Sequence, residues 1–184
     1  MRESRRKTLT VLGCVCFGLS VAVNISYLIQ YRTFGGMHGA LIYLLLAAAL
    51  AFRSPFLLTA SGILLAAECV IGAVTDYTIF QQTQSLVVPI QGALNVIASI
   101  LILLLGFSKR KSVLFGWLAA ALLLLKALLV YYGWHIPALC GLPQQVTALN
   151  VTLSAATVVG WIVTGYLRRE MPTFGETWNR LLNK

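Results

Sequence analysis

The chain has 184 residues, of which 59% are hydrophobic and 10% charged, with a formal net charge of +9. Soluble domains carry about a quarter charged residues, so this composition cannot coat a water-soluble globule of this size. The positive balance does not point to nucleic acid either, because the basic stretches all flank long apolar runs.

Those runs are long enough to cross a hydrocarbon core as helices, which takes about 20 residues. Their apolar positions do not alternate, which suits helices rather than barrel strands. The chain opens with a basic segment carrying Arg2, Arg5, Arg6 and Lys7. A first span is expected over 8–30; it is too long for the apolar region of a signal peptide, and no A-x-A site follows it. A turn at Tyr31, Arg32 and Thr33 leads to a second span over 34–52. Arg53-Ser54 then makes a tight connection, and Pro55 suits the first turn of a third span, over 55–75. Residues 76–85, DYTIFQQTQS, read as a polar loop. The fourth span is expected over 86–107, the basic link Ser108-Lys109-Arg110-Lys111 follows, and the fifth covers 112–132. A longer loop, 133–145, holds Pro137 and Pro143, and the sixth span covers 146–167. In the tail, 170–184, Pro172 breaks the helix, and Thr173 with Glu176 has capping-box spacing. Phe174, Trp178, Leu181 and Leu182 fall on one face there, which predicts a short interfacial helix. The expected fold is one all-α domain, a six-span polytopic bundle.

Charge arithmetic sets the orientation. With six spans, Arg2, Arg5, Arg6, Lys7, Arg53, Lys109, Arg110, Lys111, Arg168, Arg169, Arg180 and Lys184 share one side, and Arg32 is alone on the other. By the positive-inside rule this twelve-to-one split puts both termini in the cytoplasm of a cell membrane.

Two charges interrupt the apolar runs, Glu68 in the third span and Lys126 in the fifth. At a helical rise of about 1.5 Å per residue, Glu68 lies about 12 Å below Asp76 and Lys126 about 13 Å below His135. Asn24, Asn95 and Asn150 fall in the same slab, about 6–13 Å deep. Small and polar residues share their helical faces: Ser61 and Gly72 with Glu68, Gly92 and Ser99 with Asn95, Ser112 and Gly116 with Lys126, Ser154 and Thr157 with Asn150. Such faces mark helix–helix contact in membranes, so the polar layer is expected to point inward. An intramembrane ionisable residue is expensive and by default a candidate functional group. The opposite-charge pair reads equally well as a solute or proton site and as a salt bridge that fixes helix packing. Arg32, His38, Asp76, Trp134 and His135 are expected around an outer mouth, under a lid formed by loops 76–85 and 133–145.

Spans four and six share a short string, Ala93-Leu94-Asn95-Val96-x-x-Ser99 and Ala148-Leu149-Asn150-Val151-x-x-Ser154, of the kind internal repeats leave. Cys14, Cys16, Cys69 and Cys140 form no CxxC pair and predict no internal disulfide. With two histidines far apart and no carboxylate cluster, no metal or other cofactor is expected. Arg32 to His38 is similar to the Arg…Gly-Gly-x-His element of membrane peptidases that process signalling peptides, but the position of their nucleophilic Cys is Leu45 here. No enzyme activity is expected.

Six helices in this length, cytoplasmic termini, and long outer loops after spans three and five resemble the substrate-binding subunits of energy-coupling-factor vitamin transporters. Gly18-x-x-x-Ala22 is similar to the small-x-x-x-small contact those subunits present to their partner. The resemblance implies a small solute bound from the outer side and a partner membrane protein with an ATPase. The function expected is therefore solute binding and transport through Glu68, Lys126, Asn24, Asn95 and Asn150. The alternative is a non-transporting scaffold subunit of a larger membrane assembly.

Overall fold

The computed structural model describes residues 3–31, 34–139 and 147–182. Among them are seven α-helices and no strand: α1 (Glu3–Tyr31), α2 (Phe34–Ala51), α3 (Pro55–Thr83), α4 (Val87–Phe107), α5 (Ser112–Tyr132), α6 (Ala148–Arg168) and α7 (Phe174–Leu182). Two single-turn 3-10 segments, Gly133–His135 and Pro137–Leu139, follow α5. Helices α1, α3, α4, α5 and α6 are long and apolar enough to cross a membrane, and α2 carries a shorter apolar stretch, Met37–Ala51. Their outward faces expose Val15, Ile29, Leu44, Ile63, Val70, Ile100, Leu114 and Leu128, a surface that lipid tolerates and water does not. These are the helices of a multi-pass integral membrane protein.

Two helix ends differ from expectation. Helix α1 starts at Glu3 rather than at residue 8, and an exposed i,i+4 pair, Lys7 Nζ to Glu3 Oε1 at 3.0 Å, sits on its first turns. Helix α3 runs on to Thr83, so the segment 76–83 is helix rather than polar loop. Polarity marks where apolar surface stops, not where a helix stops. DYTIFQQT holds no Gly or Pro, and the chain turns only at Gln84, whose φ of 55° is left-handed and whose N–H bonds Phe80 O at 2.8 Å.

The α2–α3 connection is as tight as its sequence demands. Arg53 is left-handed (φ 54°), its N–H bonds Leu50 O at 3.3 Å, and Ser54 N–H bonds Ala49 O at 3.0 Å. This is the Schellman pattern, which satisfies the last carbonyls of α2. Ser54 Oγ then accepts from Leu57 N–H, and Pro55 opens α3 at a position where it has no N–H to lose.

Each of the first six helices packs against its sequence neighbours, and α6 closes back on α1, giving a ring in which α2–α3 is the loosest seam. One end of the ring gathers the basic segments. Arg53 Nη2 donates to Glu170 O (3.1 Å), while the buried Arg168 donates from Nε to Gly106 O (3.0 Å) and from Nη1 to Pro172 O (3.2 Å). At the opposite end, Leu86 N–H and Ser85 Oγ both bond Leu139 O, at 3.1 and 3.3 Å.

Burial divides the ring into two halves. Toward the basic end lie Phe17, Leu46, Leu50, Leu58, Ile102, Leu105, Ala119, Trp161 and Leu167, all buried. There a Cβ added at Gly116 would sit 2.7 Å from Trp161 O and 3.0 Å from Gly165 Cα, so α5 and α6 touch backbone to backbone. Toward the other end α3 has no buried residue beyond Gly62 and α5 none beyond Ala120. Two cavities occupy that half, and the bundle is a cup with a dry base.

Helix α7 forms where the tail predicted it. Its capping box is reciprocal, Thr173 N–H to Glu176 Oε2 at 2.8 Å and Glu176 N–H to Thr173 Oγ1 at 3.2 Å. Trp178 and Leu182 are exposed on it; the side chains of Phe174, Arg180 and Leu181 lie outside the described ones.

Candidate functional site

The open half of the cup holds a cavity of about 280 Å³ to which all six ring helices contribute. Asn24 comes from α1, Tyr43 from α2, Glu68 and Cys69 from α3, Asn95 and Ser99 from α4, Lys126 from α5 and Trp161 from α6. A second cavity, also about 280 Å³, adjoins it and shares Tyr43, Leu123, Lys126 and Leu153. Its own polar lining is Tyr27, Gln91, Tyr131, Asn150, Ser154 and Thr157. Four of the five residues expected in the polar layer therefore line one space, and the fifth, Asn150, lines the space beside it. Lys126 faces both.

Local structure explains the placement. Asn24 is buried with its Nδ2 donating to Ser20 O at 2.8 Å. Its carbonyl oxygen occupies the room left by Gly39, where a Cβ would collide with it. Tyr27, one turn further along α1, donates its hydroxyl to Asn150 Oδ1 and ties α1 to α6. Asn150 sits in the first turn of α6, its N–H on the capping hydroxyl of Thr147 at 3.2 Å. Tyr131 and Ser154 share a 3.1 Å hydrogen bond between α5 and α6.

Glu68 and Lys126 face the same cavity but are not an ion pair: no nitrogen–oxygen contact within 4.0 Å joins them. The expectation that both lie about 12–13 Å from one face rested on a helix end at Asp76. With α3 extended to Thr83, Glu68 is roughly 22 Å from the end of its helix and Lys126 roughly 9 Å from the end of α5. They still meet one space because α3, at about 43 Å, overruns its neighbours.

The expected outer-mouth residues are not one group. Asp76 lies two turns beyond Glu68 on α3, half-buried, packed where a Cβ at Gly92 would be 3.1 Å from its Oδ2. It lines neither cavity. His38 is exposed and lies on the outer side of the α2–α3 seam, and His135 is exposed after α5. Arg32, Cys140 and the lid segment 140–145 fall outside the described residues, as does the Trp134 side chain. The other expected lid, 76–85, is mostly helix.

Sequence reasoning missed Tyr27, Tyr43, Gln91 and Cys69 as lining residues. Spacing carried a signal for two of them: Tyr27 follows Asn24 by three and Gln91 precedes Asn95 by four, so each shares a helical face with a predicted amide. Among the described residues no cluster of His, Cys, Asp or Glu could hold a metal ion. Comparison with protein-family models, characterised proteins and solved structures returned no match.

An acid and a base that face one space without touching, among amides and hydroxyls, can hold a polar solute or pass a proton to it. Charges held in this way depend on what fills the space between them.

Proposed function

We propose that the chain is a small-solute binding and transport protein of the cell membrane, with six spans, both termini cytoplasmic and the cup open to the outer face. Glu68, Lys126, Asn24, Asn95 and Asn150 hold the solute. The observation that carries this reading is the separation of Glu68 from Lys126 across a shared cavity. A salt bridge serving only to lock α3 to α5 would be closed, because paired contact is what makes two charges tolerable away from water. Gathering of the α2–α3 turn, the α4–α5 link and the tail at one end supports the orientation, since that end carries the basic excess the positive-inside rule assigns to the cytoplasm.

Energy for transport would come from an ion gradient or from a partner with an ATPase. The resemblance to energy-coupling-factor substrate-binding subunits favours the partner, and it would use α1, where nothing lies within 4 Å of a Cβ built on Gly18. The amphipathic α7 is suited to the cytoplasmic headgroup layer.

The test is a thermal-stability screen of aqueous solutes on wild type, Glu68→Gln, Lys126→Met and the double variant. Solute binding predicts a stabilising compound whose effect disappears in a single variant that still folds. A scaffold predicts that no solute shifts any of the four, and that the double variant recovers what each single one loses.

A further inference from the structure

The two adjoining cavities differ in charge. The first is lined by one carboxylate, Glu68, and one ammonium, Lys126, with the amide of Asn95 beside them. The second has Lys126 but no acid; its other polar groups, among them Tyr27, Gln91, Asn150 and Ser154, are hydroxyls and amides. Lys126 therefore shares one space with a carboxylate and the other with neutral hydrogen-bonding groups. The neighbouring titratable groups stand outside both. His38 lies in an apolar groove on the outer side of the α2–α3 seam, which Glu68 also borders, and it lines neither cavity. Asp76, two turns along α3, lines neither, and no contact within 4.0 Å pairs it with Lys126. Among the described residues, the first cavity thus holds one acid and one base, and neither is in an ion pair.

A charge held away from water needs a counter-charge or strong hydrogen bonds. A solute with one charge would satisfy Glu68 or Lys126, leave the other, and bring net charge into the bundle. A zwitterion satisfies both and brings none. The gap suits it: charge-assisted hydrogen bonds are about 2.7–2.9 Å long, so a molecule that makes one at each end needs its partners held apart, as Glu68 and Lys126 are. Each cavity is about 280 Å³, at the lower end of the roughly 300–1,000 Å³ of ligand pockets, which sets the solute at metabolite size. We infer that the solute is a zwitterion of the amino-acid type, its ammonium on Glu68, its carboxylate on Lys126 and an uncharged, hydrogen-bonding side chain in the second cavity. This rests on the proposed solute-binding role of the cavities and names the class of solute.

The experiment uses the full chain in nanodiscs and follows the thermal midpoint against four probes. Glutamine has both poles and an amide side chain, glutaramate lacks its amine, γ-aminobutyramide lacks its carboxylate, and leucine keeps both poles on an apolar side chain. Glutamine is expected to stabilise the wild type most, with each of the other three bound at least about tenfold more weakly, or 1.4 kcal/mol. Glu68→Gln should erase the difference between glutamine and glutaramate, and Lys126→Met the difference between glutamine and γ-aminobutyramide. If a variant does not fold, the four probes on the wild type decide alone. Either one-pole analogue binding as tightly as glutamine overturns the two-pole assignment while the cavity role stands. Leucine binding as tightly as glutamine overturns the placing of the side chain in the second cavity. If none of the four binds, the inference falls, and the aqueous-solute screen decides separately whether the cavity role falls with it.

Discussion

The base of the cup and its open half are made from the same six helices yet obey different rules. At the base, helices approach until backbones touch, as Gly116 and Gly165 do, and the inward side chains Phe17, Leu46, Leu50, Leu58 and Trp161 are fully buried. Phe17 and Trp161 meet there edge to face, ring centroids 5.6 Å apart. The one buried charge among the described residues, Arg168, is spent on the carbonyls of Gly106 and Pro172. In the open half, side-chain hydrogen bonds such as Tyr27 to Asn150 and Tyr131 to Ser154 hold the helices at a distance, and Glu68 and Lys126 are left facing space. The comparison teaches that close packing and open polar space are assigned to different ends of the bundle. Substitutions should therefore separate by height rather than by helix.

The largest effect is expected at the base. Gly116→Leu places a side chain where α6 backbone already stands, so thermal denaturation should show a loss above about 3 kcal/mol or no folded protein. Arg168→Met is expected next, at about 1–3 kcal/mol, because Gly106 O and Pro172 O lose their donor in a buried place. In the open half, Lys126→Met should leave stability within about 1 kcal/mol of wild type while abolishing solute-dependent stabilisation, since no direct partner is lost. The smallest effect sharpens the contrast with a gain. Thr59 Oγ1 is buried at the base without a hydrogen-bond partner, beside Gly106, and Thr59→Val should stabilise by about 1 kcal/mol in the same assay. A large loss in Lys126→Met with little in Gly116→Leu would invert the comparison and remove its basis.

Much of this was legible in the residues. Glu68, Lys126, Asn24 and Asn95 were readable because a charge or amide in an apolar run has one tolerable direction, inward, and the small residues beside each named that direction. The bundle and its basic end followed from run lengths and from where Lys and Arg fall. Helix ends were not legible at Glu3 and Thr83, because water-exposed turns can continue a helix and only Gln84, in a left-handed conformation, stops α3. Nor was the gap between Glu68 and Lys126. Depth along an axis is a sequence quantity, while separation across a ring depends on how the helices between α3 and α5 pack. Tyr43 was invisible as a lining residue because an aromatic side chain suits lipid, core and cavity alike.

The most direct test compares one thiol from each half in the membrane. Cys69 lines the cavity and Cys16, 7% exposed, belongs to the base. In versions of the protein that retain one or the other, with the remaining cysteines changed to serine, a small membrane-impermeant methanethiosulfonate added from the side to which the cup opens should modify Cys69 and spare Cys16 until the protein is unfolded. Equal protection of both thiols would mean that the open half is closed to water, and would contradict the account.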